Sequence, residues 1–324
     1  MSKKLIVSAP GKLMLLGEHA VVYNRPCIVT AVGQRMFATL ELLTNSVFEF
    51  EAEDVKVIGY KKSIIDLGKG EIPKGASFVE MAVKNFANKH SLMGGIRVIT
   101  KSEFSSLFGF GSSSASTVCM IAGLAELTNS KLNKKEIFDL AYKTVLDIQG
   151  KGSGFDVAAA IYGGTLYFVT GGKVIKPIEL NELPLVIGYT GIKADTVTLI
   201  KTVAGKASRH SELVDAIYTQ IGNIVDSAHE EIKKKSWPVV GELMNFDQGM
   251  LEALVVSSAK LAAMIHAARD AGAYGAKLSG AGIGDCMIAL VSQDKKQIVS
   301  EEITKAGGQV INVNTNVPGV RIES

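Results

Sequence analysis

The strongest chemical signal is a glycine-serine run at residues 109–114, Gly-Phe-Gly-Ser-Ser-Ser, here called the serine loop. It comes directly before a helical pattern over residues 115–127. Glycines let a backbone approach a phosphate closely, and the unpaired amides of a first helical turn attract anions. The serine hydroxyls add hydrogen-bond donors and an oxygen ligand for magnesium. A serine N-cap on a glycine turn explains the same residues, so both interpretations stay open at this point.

The serine loop differs from the common nucleotide-binding motifs. No Gly-x-x-x-x-Gly-Lys-Ser/Thr sequence occurs, which disfavours a P-loop fold, and Ser114 stands where Gly-x-Gly-x-x-Gly needs its last glycine. The His-Arg-Asp and Asp-Phe-Gly signatures of protein kinases are absent as well. A phosphate site here would therefore belong to another class.

Candidate charged residues lie in an N-terminal segment, residues 9–23. Lys12 follows an Ala-Pro-Gly sequence that we expect to close a strand over residues 5–8 as a turn. Glu18 and His19 come after four apolar residues, so they would emerge at a strand end. Lys12 is either a surface turn residue or a positioned cation. Taken singly, Glu18 and His19 are more often solvated loop residues than catalytic ones.

Two further glycine-rich segments carry carboxylates. Asp156 follows residues 150–154 and begins a short helical pattern, where the helix dipole stabilises a negative charge. On its own it is more simply a helix cap. The second segment, residues 280–284, here called the glycine turn, separates two apolar stretches and ends before Asp285. By itself it could be a plain tight turn between strands.

Composition excludes several classes of protein. Of 324 residues, 47% are hydrophobic and 21% charged, a balance typical of globular domains. The net charge of +3 is too even for nucleic acid or a membrane surface as the main partner. Three widely separated cysteines without a Cys-x-x-Cys pair indicate no disulfide framework or zinc cluster and favour a cytoplasmic location. No run of about 18 apolar residues predicts a membrane span.

Strand and helix patterns mix without strict alternation, which favours an α+β fold. Adjacent glycines at 171 and 172 suggest a boundary, giving domains at residues 1–172 and 173–324. Strands are predicted at 5–8, 36–43, 47–51, 95–100, 166–169, 185–189, 276–278, 286–291 and 310–313. Helices are predicted at 76–89, 115–127, 134–148, 157–162 and 297–306, and they dominate residues 196–271.

Together the motifs resemble those of the galactokinase, homoserine kinase, mevalonate kinase and phosphomevalonate kinase (GHMP) superfamily. The shared sequences, in the same order, are PGK…GEHAVV at 10–22, GFGSSSA at 109–115 and GAGIGDC at 280–286. The resemblance covers nearly the whole chain. It implies an N-terminal domain like domain 2 of ribosomal protein S5, a ferredoxin-like C-terminal domain, and an active site in the cleft between them.

The resemblance also implies residue roles. The serine loop would bind the phosphates of ATP, and Ser113 would bind Mg²⁺. Asp156 would be the catalytic base or would orient the substrate hydroxyl, with Lys12 beside it. The ATP-binding residues would be Gly109, Gly111, Ser112, Ser113 and Ser114.

Within the superfamily the chain is most similar to mevalonate kinases. That similarity implies mevalonate as the small-molecule substrate, phosphorylated by ATP on its C5 hydroxyl. The implied substrate-binding residues are Glu18, His19, Thr196, Gly280, Ala281 and Gly282. However, the sequence QGKGSGFDVAAA at 149–160 and the aspartate at position 285 are closer to phosphomevalonate kinases, which keeps that activity as the alternative.

A decarboxylase of the same superfamily and a non-catalytic ligand sensor also stay open, although Lys12, Ser113 and Asp156 argue for retained catalysis. Mevalonate kinases usually bind magnesium through a glutamate at the position of Val145. Asp147 could replace it only if the helix over residues 134–148 ends early, because two helical positions differ by about 200°. A homodimer stays open, since the sequence does not determine the oligomeric state.

Overall fold

The computed structural model describes residues 4–104 and 108–323, without the side chains of residues 196 and 197. Its strands are Lys4–Leu16 (β1), Pro26–Leu43 (β2), Val47–Ala52 (β3), Val57–Ser63 (β4), Gly95–Ser102 (β5), Thr165–Val169 (β6), Val174–Ile178 (β7), Leu185–Tyr189 (β8), Gly275–Ser279 (β9), Cys286–Leu290 (β10), Gln309–Ile311 (β11) and Arg321–Ile322 (β12). Its α-helices are Ser77–Lys89 (α1), Ser112–Leu127 (α2), Lys134–Gln149 (α3), Phe155–Tyr162 (α4), Thr196–Arg209 (α5), Ser211–Lys233 (α6), Trp237–Ala253 (α7), Ala259–Asp270 (α8) and Lys296–Lys305 (α9).

The first sheet has eight strands in the order β12-β1-β2-β5-β3-β4, with β6 paired to β2 and β7 to β6. All of its pairs are antiparallel except β3 with β5. Helix α2 packs on β1 and β2 and also contacts α1, α3 and α4. Thirteen of the sixteen α2 residues are buried, because this helix lies between the sheet and the other helices. The serine loop therefore leads into the centre of this domain.

The second sheet is antiparallel and has the order β11-β8-β10-β9. Along the chain its elements run β8, four helices, β9, β10, α9 and β11. Reduced to strand-helix-strand-strand-helix-strand, with the fourth strand beside the first, this is the ferredoxin-like arrangement. The predicted α+β class and the predicted ferredoxin-like unit are both confirmed.

The expected boundary at residue 172 falls inside the first sheet. Strand β7 begins at Val174 and pairs along its whole length with β6. At the other end of the chain, β12 returns to pair with β1. The first sheet thus extends to Ile178 and also recruits residues near the C-terminus, a pairing distant in sequence that local patterns do not reveal.

The turn predicted after residue 8 is wrong. Strand β1 continues through Pro10 and Gly11, where its register with β2 shifts between Pro10↔Arg35 and Gly11↔Val32. Such an irregularity bends a strand without ending it. Its consequence is functional, because the backbone amide of Lys12 then donates a 2.9 Å hydrogen bond to the carbonyl of Phe110 in the serine loop.

No helix within residues 4–104 and 108–323 combines the length and apolar character needed to cross a bilayer.

Candidate active site

Helix α2 begins at the serine loop in a conformation that glycine permits. Gly109 and Gly111 have φ of 70° and 81°, and Gly111 is the N-cap. No side chain of the described residues caps this helix end. The amides of the first turn are therefore available to an anion, which the helix dipole also favours. Phosphate binding by the loop stays a prediction, and the free amides are the feature that it requires.

Lys12 and Asp156 both lie beside Gly111. A Cβ atom added to Gly111 would lie 3.2 Å from Cγ of Lys12 and 3.6 Å from Cβ of Asp156. The Lys12 ammonium donates a 2.8 Å hydrogen bond to the carbonyl oxygen of Gly109 and lies 5.3 Å from the ring centroid of Phe155. The predicted proximity of the lysine and the carboxylate is present, although the described ion pairs do not join them. The ammonium is held by the serine loop instead.

Asp156 is oriented by two hydrogen bonds. The Ser114 hydroxyl donates to its Oδ2 at 2.6 Å, and the amide of Val157 donates to its Oδ1 at 3.0 Å. Asp156 stands in the first turn of α4, which starts after Gly154 at φ 89°. Ser114 is buried, so its hydroxyl points at the carboxylate and not into solvent. The prediction grouped Ser114 with the ATP ligands, whereas the structure pairs it with Asp156.

Glu18 and His19 reach the glycine turn from the first domain. Oε1 of Glu18 accepts a hydrogen bond from the amide of Gly280 at 3.4 Å, and Nε2 of His19 lies 2.8 Å from the carbonyl oxygen of Ala281. Burial lowers the pKa of His19, and the bond to Ala281 only partly offsets this. The neutral ring therefore carries its proton on Nε2 and donates it to Ala281. Gly282 packs directly on the carbonyl of Val256 with φ 91°, so no side chain fits there.

Sequence reasoning missed Lys277 and Asp247. Lys277 is fully buried in β9, and its ammonium lies 2.5 Å from Oε1 of Glu18 and 3.4 Å from Oδ2 of Asp247. A lysine between alanine and leucine in an apolar strand is itself a signal, because a buried lysine is almost always paired. Its partners could not be identified locally, since Glu18 is 259 positions away.

Asp285 joins the glycine turn to the serine loop. Its Oδ1 accepts a 2.9 Å hydrogen bond from the amide of Ala194. Its Oδ2 would lie 2.5 Å from a Cβ atom placed on Gly109, so a side chain there would displace the carboxylate, and the φ of 70° also favours glycine. Burial raises the pKa of Asp285, an effect that the Ala194 amide and Lys12 oppose. From the sequence, this aspartate is only a feature closer to phosphomevalonate kinases. In the structure, Asp285 follows the glycine turn and contacts both Ala194 and Gly109.

The early helix end considered for α3 is wrong, because α3 stays regular to Gln149. Asp147 faces α1, from which Asn85 donates a 2.9 Å hydrogen bond to its Oδ2, and Lys143, one turn earlier in α3, donates another at 2.5 Å. Val145 is buried. Among the described residues, no group of three or more histidines, cysteines, aspartates or glutamates could hold a metal ion by itself. Thr196 begins α5, but its side chain lies outside the described part of the chain.

The chain is similar to known proteins over its whole length. The family model described as "GHMP kinases N terminal domain" matches residues 77–164, and "GHMP kinases C terminal" matches residues 228–309. The mevalonate kinases of Pyrococcus abyssi and Pyrococcus horikoshii are 34% and 35% identical, over 100% of this chain and 99% of each relative. The solved structure of L. major mevalonate kinase in complex with R-mevalonate superposes with a TM-score of 0.76 and 25% identity, covering 98% of this chain and 97% of that one.

Proposed function

The chain belongs to the GHMP kinase family, and we propose that it transfers the γ-phosphoryl group of ATP to the C5 hydroxyl of mevalonate. The observation that carries the proposal is the arrangement around Gly111. The glycine-capped start of α2, a lysine and an oriented carboxylate lie together there. Phosphoryl transfer needs mainly positioning and charge stabilisation, which this arrangement supplies.

In the proposed reaction, Asp156 accepts the proton of the C5 hydroxyl while the hydroxyl oxygen bonds to the γ-phosphorus. The bond from that phosphorus to the β,γ-bridging oxygen breaks, and ADP leaves with its electron pair. Ser114 and the Val157 amide hold the two carboxylate oxygens of Asp156 in place, and each oxygen keeps a further lone pair that can accept the substrate proton. Lys12, held on the carbonyl of Gly109, places a positive charge where negative charge develops on the transferred group.

The donors near the serine loop fit magnesium bound with ATP. Mg²⁺ prefers oxygen ligands and needs only one or two carboxylates when phosphates and water complete its shell. We assign the protein's share to the hydroxyl of Ser113, in the first turn of α2. Bound there, Mg²⁺ would neutralise phosphate charge. Asp147 contributes nothing in this account, because it is hydrogen-bonded to Lys143 and Asn85.

The substrate side of the proposed site is formed by Glu18, His19 and the glycine turn, and Thr196 is a further proposed contact. Mevalonate is favoured over phosphomevalonate because full-length relatives at 34–35% identity are mevalonate kinases. In the L. major structure a protein of this fold binds R-mevalonate. We also propose a cytoplasmic enzyme, since its three cysteines are free and buried in the described structure.

The test is a coupled ADP-release assay with mevalonate, phosphomevalonate, mevalonate diphosphate, homoserine and galactose. We expect mevalonate to give the highest rate and a product with phosphate on C5 by phosphorus NMR. Release of carbon dioxide from mevalonate diphosphate would instead indicate a decarboxylase. No ADP release with any of the five, from folded protein that binds ATP, would support a ligand sensor.

A further inference from the structure

Two carboxylates and one ammonium are buried together behind the proposed substrate site. Glu18, Asp247 and Lys277 expose at most 1% of their surfaces. The Lys277 ammonium lies 2.5 Å from Glu18 and 3.4 Å from Asp247, and it also donates to the carbonyl oxygen of Leu278 at 2.6 Å. If both carboxylates were ionised, one buried negative charge would have no compensation, which is costly in a protein interior.

Within the described part of the chain, three carboxyl oxygens of this cluster lack a hydrogen-bond donor. Oε2 of Glu18 and both carboxyl oxygens of Asp247 are buried without a hydrogen-bond partner among the described residues. Ionised carboxylates only accept hydrogen bonds, so they cannot satisfy each other. A single proton changes this, because a protonated carboxyl group can donate to its neighbour. One added proton thus provides a hydrogen-bond donor for two of these three oxygens and balances the buried charge.

Asp247 is the group that takes this proton. Burial raises the pKa of Asp247 to about 7, with Lys277 opposing the shift and Glu18 adding to it. Glu18 has the shorter contact with Lys277 and is its closer ion-pair partner. The charged or titratable groups that interact with Glu18 or Asp247 are Lys277 from β9, Cys27 from β2 and His19, which follows Glu18.

The cluster links helix α7 to the proposed substrate site. Glu18 accepts a bond from the Gly280 amide through the same oxygen that contacts Lys277. Asp247 is on α7, and the next residue, Gln248, accepts a 2.9 Å hydrogen bond from the amide of Leu278 in β9. A change in the charge of Asp247 would therefore be transmitted to Glu18 and to the start of the glycine turn.

We propose that Asp247 is a positioning residue that acts as a neutral carboxylic acid, donating a hydrogen bond to Glu18 and holding Glu18 and the glycine turn in their substrate-binding arrangement. This inference rests on the proposed function, in which these segments contact mevalonate. Mevalonate is itself an anion. Loss of the Asp247 proton would both release Glu18 and place an uncompensated negative charge beside an anionic substrate.

The test compares the KM for mevalonate as a function of pH in the wild type, Asp247→Asn and Asp247→Leu. We expect the wild-type KM to rise about tenfold between about pH 6 and pH 8.5, because deprotonation removes one hydrogen bond and adds one repulsion. Asp247→Asn keeps a donor that does not titrate, so this rise should shrink to about twofold. Asp247→Leu should have a high KM throughout. Equal pH dependence in wild type and Asp247→Asn would overturn the proposal.

Two controls separate this inference from the proposed function. The KM for ATP should change little in both Asp247 variants. Glu80→Gln removes another buried carboxylate, bonded to Lys62 and Tyr60 away from the site, and should leave the KM for mevalonate unchanged. A shift in that variant as large as in Asp247→Leu would show a general packing effect and contradict a positioning role.

If the wild type does not phosphorylate mevalonate, only the proposed function is refuted. The protonation of Asp247 can then be tested by a measurement that does not depend on activity. At a pH above the ordinary pKa of aspartate, Asp247 is ionised in the unfolded state but still protonated in the folded state. Stability from this group is therefore complete at low pH and is lost as pH rises through the folded pKa of about 7. The Tm of wild type should fall relative to that of Asp247→Asn between about pH 5 and pH 8. Parallel Tm curves would overturn the protonated Asp247.

Discussion

The hydroxyl of Ser114 donates a 2.6 Å hydrogen bond to Oδ2 of Asp156. This bond joins the first turn of α2, which we assign to phosphate binding, to the carboxylate that we assign to proton transfer. Both groups belong to elements that start after a left-handed glycine, Gly111 for α2 and Gly154 for α4. The two helix starts therefore fix the distance between the phosphate site and the proposed base.

Replacement of Asp156 tests the proposed base. Asp156→Asn retains the shape of the side chain and removes its ability to accept a proton, so kcat should fall by about 10²–10⁴-fold. Binding of ATP, measured by calorimetry, should be nearly unchanged. Turnover close to wild type in a folded Asp156→Asn protein would reduce Asp156 to a helix cap.

Ser114→Ala tests the orienting bond separately. Loss of one hydrogen bond to a charged group should lower kcat about tenfold, with the KM for ATP little affected. Ser116→Ala is the matched control, because that hydroxyl donates to the carbonyl of Ser113 within the same helix. If Ser114→Ala raised the KM for ATP and left kcat unchanged, Ser114 would be a nucleotide ligand, as the sequence had suggested.

Lys12→Met tests the cation beside the transferred phosphate. The ammonium contributes charge stabilisation, so its removal should lower kcat by about 10²-fold or more. Lys12→Arg should restore little, because the planar guanidinium does not reproduce a compact ammonium held on one carbonyl oxygen. Lys173→Met removes an exposed lysine that bonds only Asn24 in the described structure and should have normal kinetics. Full activity of Lys12→Met would contradict the proposed role.

Much of the fold could be predicted because its signals are local. Strand β8 lies at Leu185–Tyr189, the predicted range, since a short apolar run between Pro184 and Thr190 is typical of a buried strand. The predicted range of helix α3, residues 134–148, differs from the observed Lys134–Gln149 by one residue. This helix has a complete capping box at Asn133 and Glu136. The serine loop was also recognisable, because its glycines and serines are contiguous.

The parts that could not be predicted depend on distant partners. Strand β7 has only five residues, including Pro177, and becomes a strand by pairing with β6. Asp247 and Glu18 meet through Lys277, although the three residues are far apart in sequence. The pairing of Ser114 with Asp156 likewise depends on how α2 and α4 pack. No local pattern contains this information.

Asp147 provides a test of the magnesium site. Its oxygen is hydrogen-bonded to Lys143 and Asn85, so Asp147→Asn should leave the magnesium concentration for half-maximal activity unchanged at saturating ATP. A several-fold increase would make Asp147 a metal ligand and contradict the assignment to Ser113, phosphates and water.

The same variant has a predicted effect on stability. Partial burial alone would raise the pKa of Asp147, but hydrogen bonds from Lys143 and Asn85 outweigh it and lower the pKa. The stabilisation is then present above the ordinary pKa of aspartate and is lost as pH falls through the lowered value. Asp147→Asn should cost about 0.2–1 kcal/mol near neutral pH, as exposed ion pairs do, and nothing in strong acid. Urea unfolding at both pH values measures the difference.

The most direct test of the central claim is the ratio of kcat/KM for mevalonate to that for phosphomevalonate, with ATP and magnesium saturating. The two substrates differ by one phosphate, and the proposed substrate site combines a neutral His19 with the acidic side chain of Glu18. We predict a ratio well above one, with 5-phosphomevalonate formed in equal amount to ADP. A ratio below one would contradict the assignment and identify the chain as a phosphomevalonate kinase.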